Sequence, residues 1–187
     1  MKVVCIGGTV TNGSTTESAL LLAGKAAREA GADVSHFGGA YLSVLPHYRG
    51  AGHQAGVGAE LVEAVRQADG IIIAAPGYHG TVSGLVKNAL DYLEDLARDA
   101  RPYLDGRAVG LIATAYGDQA TMSTMMTLRA ITHALRGWPT PLGATVRTSQ
   151  GLFDAQGACT DARIATQLAT VGGQVVMGAR SLAGAAA

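Results

Sequence analysis

Three runs constrain this chain more than anything else in it: KVVCIG at Lys2–Gly7, GIIIAA at 70–75 and AVGLIAT at 108–114 are apolar at nearly every position. A strand with one wet face alternates polar and apolar residues, whereas one apolar throughout is covered on both faces. Between these runs the spacing turns helical. Residues 14–30 open on hydroxyls and an acid and stop at Gly31. Residues 59–68 follow, then 83–98 with the stripe Leu85, Ala89, Leu93 and Leu96. Two further helices are expected from about 119 to 136 and over 161–181, and two further strands at 32–37 and 141–147. Strand and helix alternating end to end imply right-handed crossovers and an all-parallel, three-layer α/β fold. At 187 residues the chain reads as a single domain over 1–187.

Charge narrows the function classes. Fourteen basic residues balance fourteen acidic ones and are scattered singly, so no basic stripe faces nucleic acid. Two distant cysteines, Cys5 and Cys159, form no CxxC or metal-ligand pattern, which points to a reducing compartment and to no metal site. The opening MKVVCIGG is too short for a signal peptide, and the Ala/Gly-rich tail carries Arg180 rather than an unbroken apolar span. The expectation is a cytoplasmic protein with no membrane segment. Glycine, at 26 residues, is about twice the usual share. It calls for places where backbone bends sharply or approaches something closely.

In open parallel sheets, ligands sit beyond the carboxyl ends of the strands. Three loops occupy those ends. The first, Gly8 to Thr16 (GTVTNGSTT), runs straight into a helix, whose N-terminus favours an anion. Thr9, Thr11, Ser14, Thr15 and Thr16 add hydroxyls, five where a helix cap needs one. Ser14 stands where a Walker loop has lysine, GxGxxG is missing, and no basic residue lies between Lys2 and Lys25. Such a loop suits one phosphate monoester rather than a magnesium triphosphate.

The second loop is Pro76-Gly77-Tyr78-His79-Gly80, where two glycines let backbone approach a flat ligand and Tyr78 can lie against it. His79 is a hydrogen-bond donor, a proton carrier or simply an exposed loop histidine. The third loop, Ala115-Tyr116-Gly117-Asp118, has the same character, with Asp118 also suited to capping the next helix.

These residues carry a resemblance. The run APGYHGTVSGLVKNALDYLEDL at 75–96 is similar to the signature of the NADPH-dependent FMN reductase family, SPxY(N/H)G followed by G-x-(L/V)-K-N-A-L-D. The resemblance implies a flavodoxin-like fold with five parallel strands in the order 2-1-3-4-5. It implies FMN, with its phosphate on Thr9, Thr11, Ser14, Thr15 and Thr16. Pro76, Gly77, Tyr78, His79 and Gly80 would line one edge of the isoalloxazine, and Ala115, Tyr116, Gly117 and Asp118 would form a third flavin loop. It also implies NADPH or NADH as donor and a homodimer or dimer of dimers built on the helix at 83–98. Many relatives carry Arg in the phosphate loop (GSxR), where this chain has Thr11 and Thr15.

The leading expectation is therefore an FMN-dependent oxidoreductase that passes hydride from NAD(P)H to flavin or another small acceptor, with His79 and Tyr116 as catalytic candidates. The scaffold also resembles FMN-dependent biosynthetic dehydrogenases such as 2-amino-4-deoxychorismate dehydrogenase. A third class, the flavodoxin electron carrier, is usually strongly acidic, and zero net charge counts against it. Three methionines, Met122, Met125 and Met126, suit either core filling or an adaptable wall for a substrate. The loop at 38–58, with Tyr41, His47, Tyr48, Arg49 and His53, is long enough to close over a flavin or reach a partner subunit. Arg49 is its candidate for an anionic group.

Overall fold

A computed structural model describes residues 1–50 and 56–185. His53 lies outside them. Strand β1 (Lys2–Gly7) leads to α1 (Thr15–Glu29) and β2 (Asp33–Phe37). After the short helix α2 (Gly39–Ser43) come α3 (Val57–Gln67), β3 (Gly70–Tyr78) and the two-residue β4 (Thr81–Val82). Helix α4 (Gly84–Asp91) passes into a 3-10 turn at Tyr92–Leu96, and β5 (Ala108–Ala115) and α5 (Asp118–Ala134) follow. The chain closes with β6 (Trp138–Pro139), β7 (Ala144–Arg147) and α6 (Ala162–Ala185).

The sheet runs β2-β1-β3-β5-β6, and apart from the short antiparallel β3–β4 pair every pairing is parallel. The expected order holds, but the strand count does not. The fifth position is shared: β6 pairs with the start of β5 at Ala108 and Val109, and β7 with its end at Ile112–Ala115. Thr140 still donates its amide to the Val109 carbonyl, but Pro141, which has no amide to donate, follows it, and the ladder resumes only at Ala144. The helix expected over 83–98 also divides, into α4 and its 3-10 continuation.

Alternation along β3 assigns the two cores. Ile71 and Ile73 face Val86, Leu93 and Leu128 on one side, while Ile72 faces Leu20, Leu168 and Val175 on the other. At the opposite end from the carboxyl termini, Arg107 is almost wholly buried, and its guanidinium donates to the carbonyls of Ala68, Tyr103, Asp105 and Arg66. Burial lowers its pKa to about 10, still far above neutrality. Among the described residues, no helix is long and apolar enough to cross a membrane.

Candidate functional site

Four strand ends, those of β1, β3, β5 and β7, surround a cavity of about 480 Å³. The first wall is the expected loop: Thr9, Thr11, Ser14, Thr15 and Thr16 all line it, with Gly13. Ser14 is the N-cap of α1, its Oγ accepting from the Glu17 amide at 3.2 Å. The amides of Thr15 and Thr16 lie in the first turn, where no intrahelical acceptor exists. No acceptor among the described residues takes them. Thr9 and Thr11 fold the loop on itself, the Thr11 amide donating to Thr9 Oγ1 at 3.2 Å. The Thr16 side chain is engaged elsewhere. Its hydroxyl is buried 2.6 Å from Thr114 Oγ1 and ties α1 to β5.

Glu17 braces this wall from below. Its Oε2 accepts from the Gly39 amide at 3.0 Å, and Oε1 lies 3.4 Å from His36 Nε2 without hydrogen-bond alignment. Burial lowers the His36 pKa, against the raising effect of the Glu17 carboxylate. The contact is tight, since a Cβ on Gly39 would fall 1.7 Å from the Thr9 carbonyl oxygen.

The second wall is Pro76, Gly77 and Tyr78. Strand β3 runs on through these residues and turns back at His79-Gly80 into β4, pairing Tyr78 with Thr81. Both turn residues have positive φ, 51° and 91°, the mark of a type I′ hairpin in which glycine is favoured. His79 and Gly80 therefore form an exposed turn tip outside the cavity lining. Gly77 sits against α5, where a Cβ would meet Thr124 Oγ1 at 2.4 Å.

The third wall is Thr114, Ala115 and Tyr116, with the Tyr116 ring 81% exposed at the rim. Gly117 is the N-cap of α5 and Asp118 its first residue rather than its cap; neither lines the cavity. The methionines divide: Met125 is core, while Met122 and Met126 are exposed on α5. The loop residue Tyr48 is fixed elsewhere, its amide donating to Asn88 Oδ1 and its hydroxyl to Asp95 Oδ1, each at 2.9 Å. Arg49, next along the chain, does not line the cavity.

One wall was missed in the sequence. Thr148 lines the cavity, its amide donating to the Ala115 carbonyl at 2.7 Å, and the neighbouring Arg147 donates Nε–H to the Tyr116 carbonyl at 3.1 Å. The signal that finds them is the strand-end rule itself, applied to the fifth strand as well as the first, third and fourth.

Among the described residues the lining is neutral: threonines, a serine, glycines, an alanine, a proline and two tyrosines. It offers an anion site at one end, built from helix amides and hydroxyls, and a backbone-walled slot at the other. A family model described as NADPH-dependent FMN reductase matches residues 1–151. The chain belongs to that family. A curated family relative, an NADPH azoreductase of Bacillus sp. (strain OY1-2), is 32% identical over 91 residues, 48% of this chain and 48% of that protein. The match thus spans about half the length of that relative. The fold likeness is nearly complete. The flavoenzyme NAD(P)H:(acceptor) oxidoreductase of Paracoccus denitrificans superposes with a TM-score of 0.78 at 17% identity, over 96% of this chain and 97% of that one. The apo form of an NADH:FMN oxidoreductase gives 0.71 at 24% identity, over 96% and 89%.

Proposed function

We propose that this chain is an FMN-dependent oxidoreductase that takes hydride from NADPH or NADH and delivers it to flavin or another small acceptor. The observation that carries the reading is the cavity's two-ended build. Two unpaired amides and a group of hydroxyls at the start of α1 suit the FMN phosphate. The backbone of Pro76–Tyr78 and Ala115–Tyr116 suits the edge of a flat ring system. The volume, about 480 Å³, lies within the usual range for small-molecule sites.

When bound, FMN supplies the hydride-accepting and hydride-donating chemistry. The chain's part is to bind, orient and exclude water. Thr9, Thr11, Ser14, Thr15 and Thr16 hold the phosphate, and the strand-end backbone orients the ring. Tyr78 and Tyr116 flank the mouth, where a donor stacks. This division of labour favours the reductase over the biosynthetic dehydrogenase, because among the described residues no carboxylate, histidine or lysine lines the cavity to deprotonate a substrate. His79, exposed at its turn tip, belongs to the rim of the site rather than to the chemistry. Azo compounds, the acceptors named for the curated relatives, are one acceptor class of this reading.

A homodimer and a cytoplasmic location belong to the same reading. The apolar stripe of α4 and its 3-10 continuation is consumed by the core, with Val86, Ala89, Leu93 and Leu96 buried. The exposed Met122 and Met126 of α5 are the better dimer face, and a sedimentation mass of 19.0 kDa contradicts pairing. Cys5 and Cys159 are both free thiols, as a reducing compartment requires. The function is tested by anaerobic stopped-flow mixing of FMN-loaded protein with NADPH or NADH. Bleaching of the flavin absorbance by either donor supports it, and a flavin that neither donor bleaches overturns it.

A further inference from the structure

Among the described residues the cavity wall carries no charge, yet the donor required by the proposed function is a polyanion. The N-terminus of α1 is taken by the FMN phosphate, so the donor's phosphates need a cation elsewhere. The sequence candidate, Arg49, follows a residue fastened to Asn88 and Asp95.

Arg147 is differently placed. It ends β7, paired with Ala115 of the third wall, and the next residue lines the cavity. Arg147 does not itself line the cavity, but its Nε–H is fixed on the carbonyl of Tyr116, which does, so it sits between two lining residues, Tyr116 and Thr148. The two Nη groups have no acceptor among the described residues. Arg66, Arg107 and Arg180 are committed elsewhere, to Glu63 and Asp99, to four carbonyls and to the Ala30 carbonyl, and none of these partners lines the cavity. An arginine held by Nε, with its Nη edge free, presents the planar fork that phosphate oxygens accept in pairs.

We propose that Arg147 recognises the phosphate groups of the reduced nicotinamide dinucleotide at the mouth of the flavin site. The proposal rests on the FMN-dependent reading. It makes Arg147 a specificity residue, acting on donor affinity and leaving the transferred hydride to the flavin.

The test uses FMN-loaded protein and two variants that separate charge from the Nε contact. Arg147→Gln keeps an amide donor for the Tyr116 carbonyl but loses the charge; Arg147→Lys keeps the charge. Binding of oxidised NADP+ is read by isothermal titration, and KM for NADPH by steady-state assay with a neutral quinone as acceptor. Arg147→Gln is expected to weaken NADP+ and raise KM for NADPH about tenfold, the scale of one charge-assisted hydrogen bond. Arg147→Lys is expected to retain most of the affinity, and the KM for the quinone to stay unchanged in both.

Unaltered NADP+ affinity in Arg147→Gln overturns the proposal. So does a parallel loss of FMN and NADP+ affinity in both variants, which makes Arg147 a brace for the Tyr116 loop. A raised KM for a sulfonated azo dye with NADPH unaffected also overturns it, assigning the arginine to the acceptor. Wild-type protein that takes up no FMN contradicts the proposed function itself, and that is read in the loading step before any variant is compared.

Discussion

Glu17 shows how a residue outside the cavity shapes it. Its carboxylate joins the first turn of α1 to the turn after β2, through the Gly39 amide and beside the half-buried His36. The phosphate loop rests on that junction, because the Thr9 carbonyl packs where Gly39 lacks a side chain. Glu17→Ala is expected to weaken FMN binding about tenfold, the order of one lost charged hydrogen bond to backbone, while Glu17→Gln restores most of it. Fluorescence titration of FMN checks this, and equal affinity in all three proteins contradicts it. The same scale shows what residue types conceal. The five hydroxyl-bearing residues of the first loop all line one cavity, but nothing in their spacing separates Thr16, whose hydroxyl faces Thr114, from its neighbours. His79 looked like chemistry because histidine is versatile. Its positive φ in a two-residue turn is a property of the β3–β4 pairing, and one residue does not reveal it.

At the scale of elements, the apolar runs at 70–75 and 108–114 placed the central strands, and the strand ends placed three of four walls. The fourth wall follows a strand the sequence does place, at 141–147; in the structure β7 is a four-residue edge strand with only Ala144 and Val146 buried, and its end is found by the same strand-end rule as the other three. The glycines of α6 show a limit of sequence reading in a helix. A Cβ on Gly172 would lie 2.1 Å from the Ala23 carbonyl oxygen, so this residue allows α6 to cross closely over α1. Gly173, one position on, faces open space. Adjacent and identical in sequence, they should respond oppositely. Gly172→Ala is expected to destabilise the protein by about 1–3 kcal/mol through overpacking, and Gly173→Ala to stabilise it by up to about 1 kcal/mol through helix propensity. Denaturant unfolding of the two variants reads the signs, and a shared sign contradicts the packing account.

Across the whole molecule, the topology gathers on one end what the sequence scatters over 140 residues. Strands β1, β3 and β5 run parallel and side by side, so the loop after Gly7, the end of β3 at Pro76–Tyr78 and the residues after Ala115 open on one face, and β7 adds Thr148 to it. That convergence suits a chain of zero net charge: on the proposed reading, helix amides and hydroxyls at the start of α1 meet the FMN phosphate, and Arg147, beside Tyr116, meets the donor's. It also explains part of the glycine excess, which serves turns and close approaches around those loops. If the start of α1 holds the FMN phosphate, riboflavin, which lacks only that phosphate, must bind more weakly than FMN. Fluorescence titration of the two into the flavin-free protein is predicted to show FMN binding about a hundredfold more tightly, the worth of two charge-assisted contacts. Equal affinities for FMN and riboflavin would contradict the account.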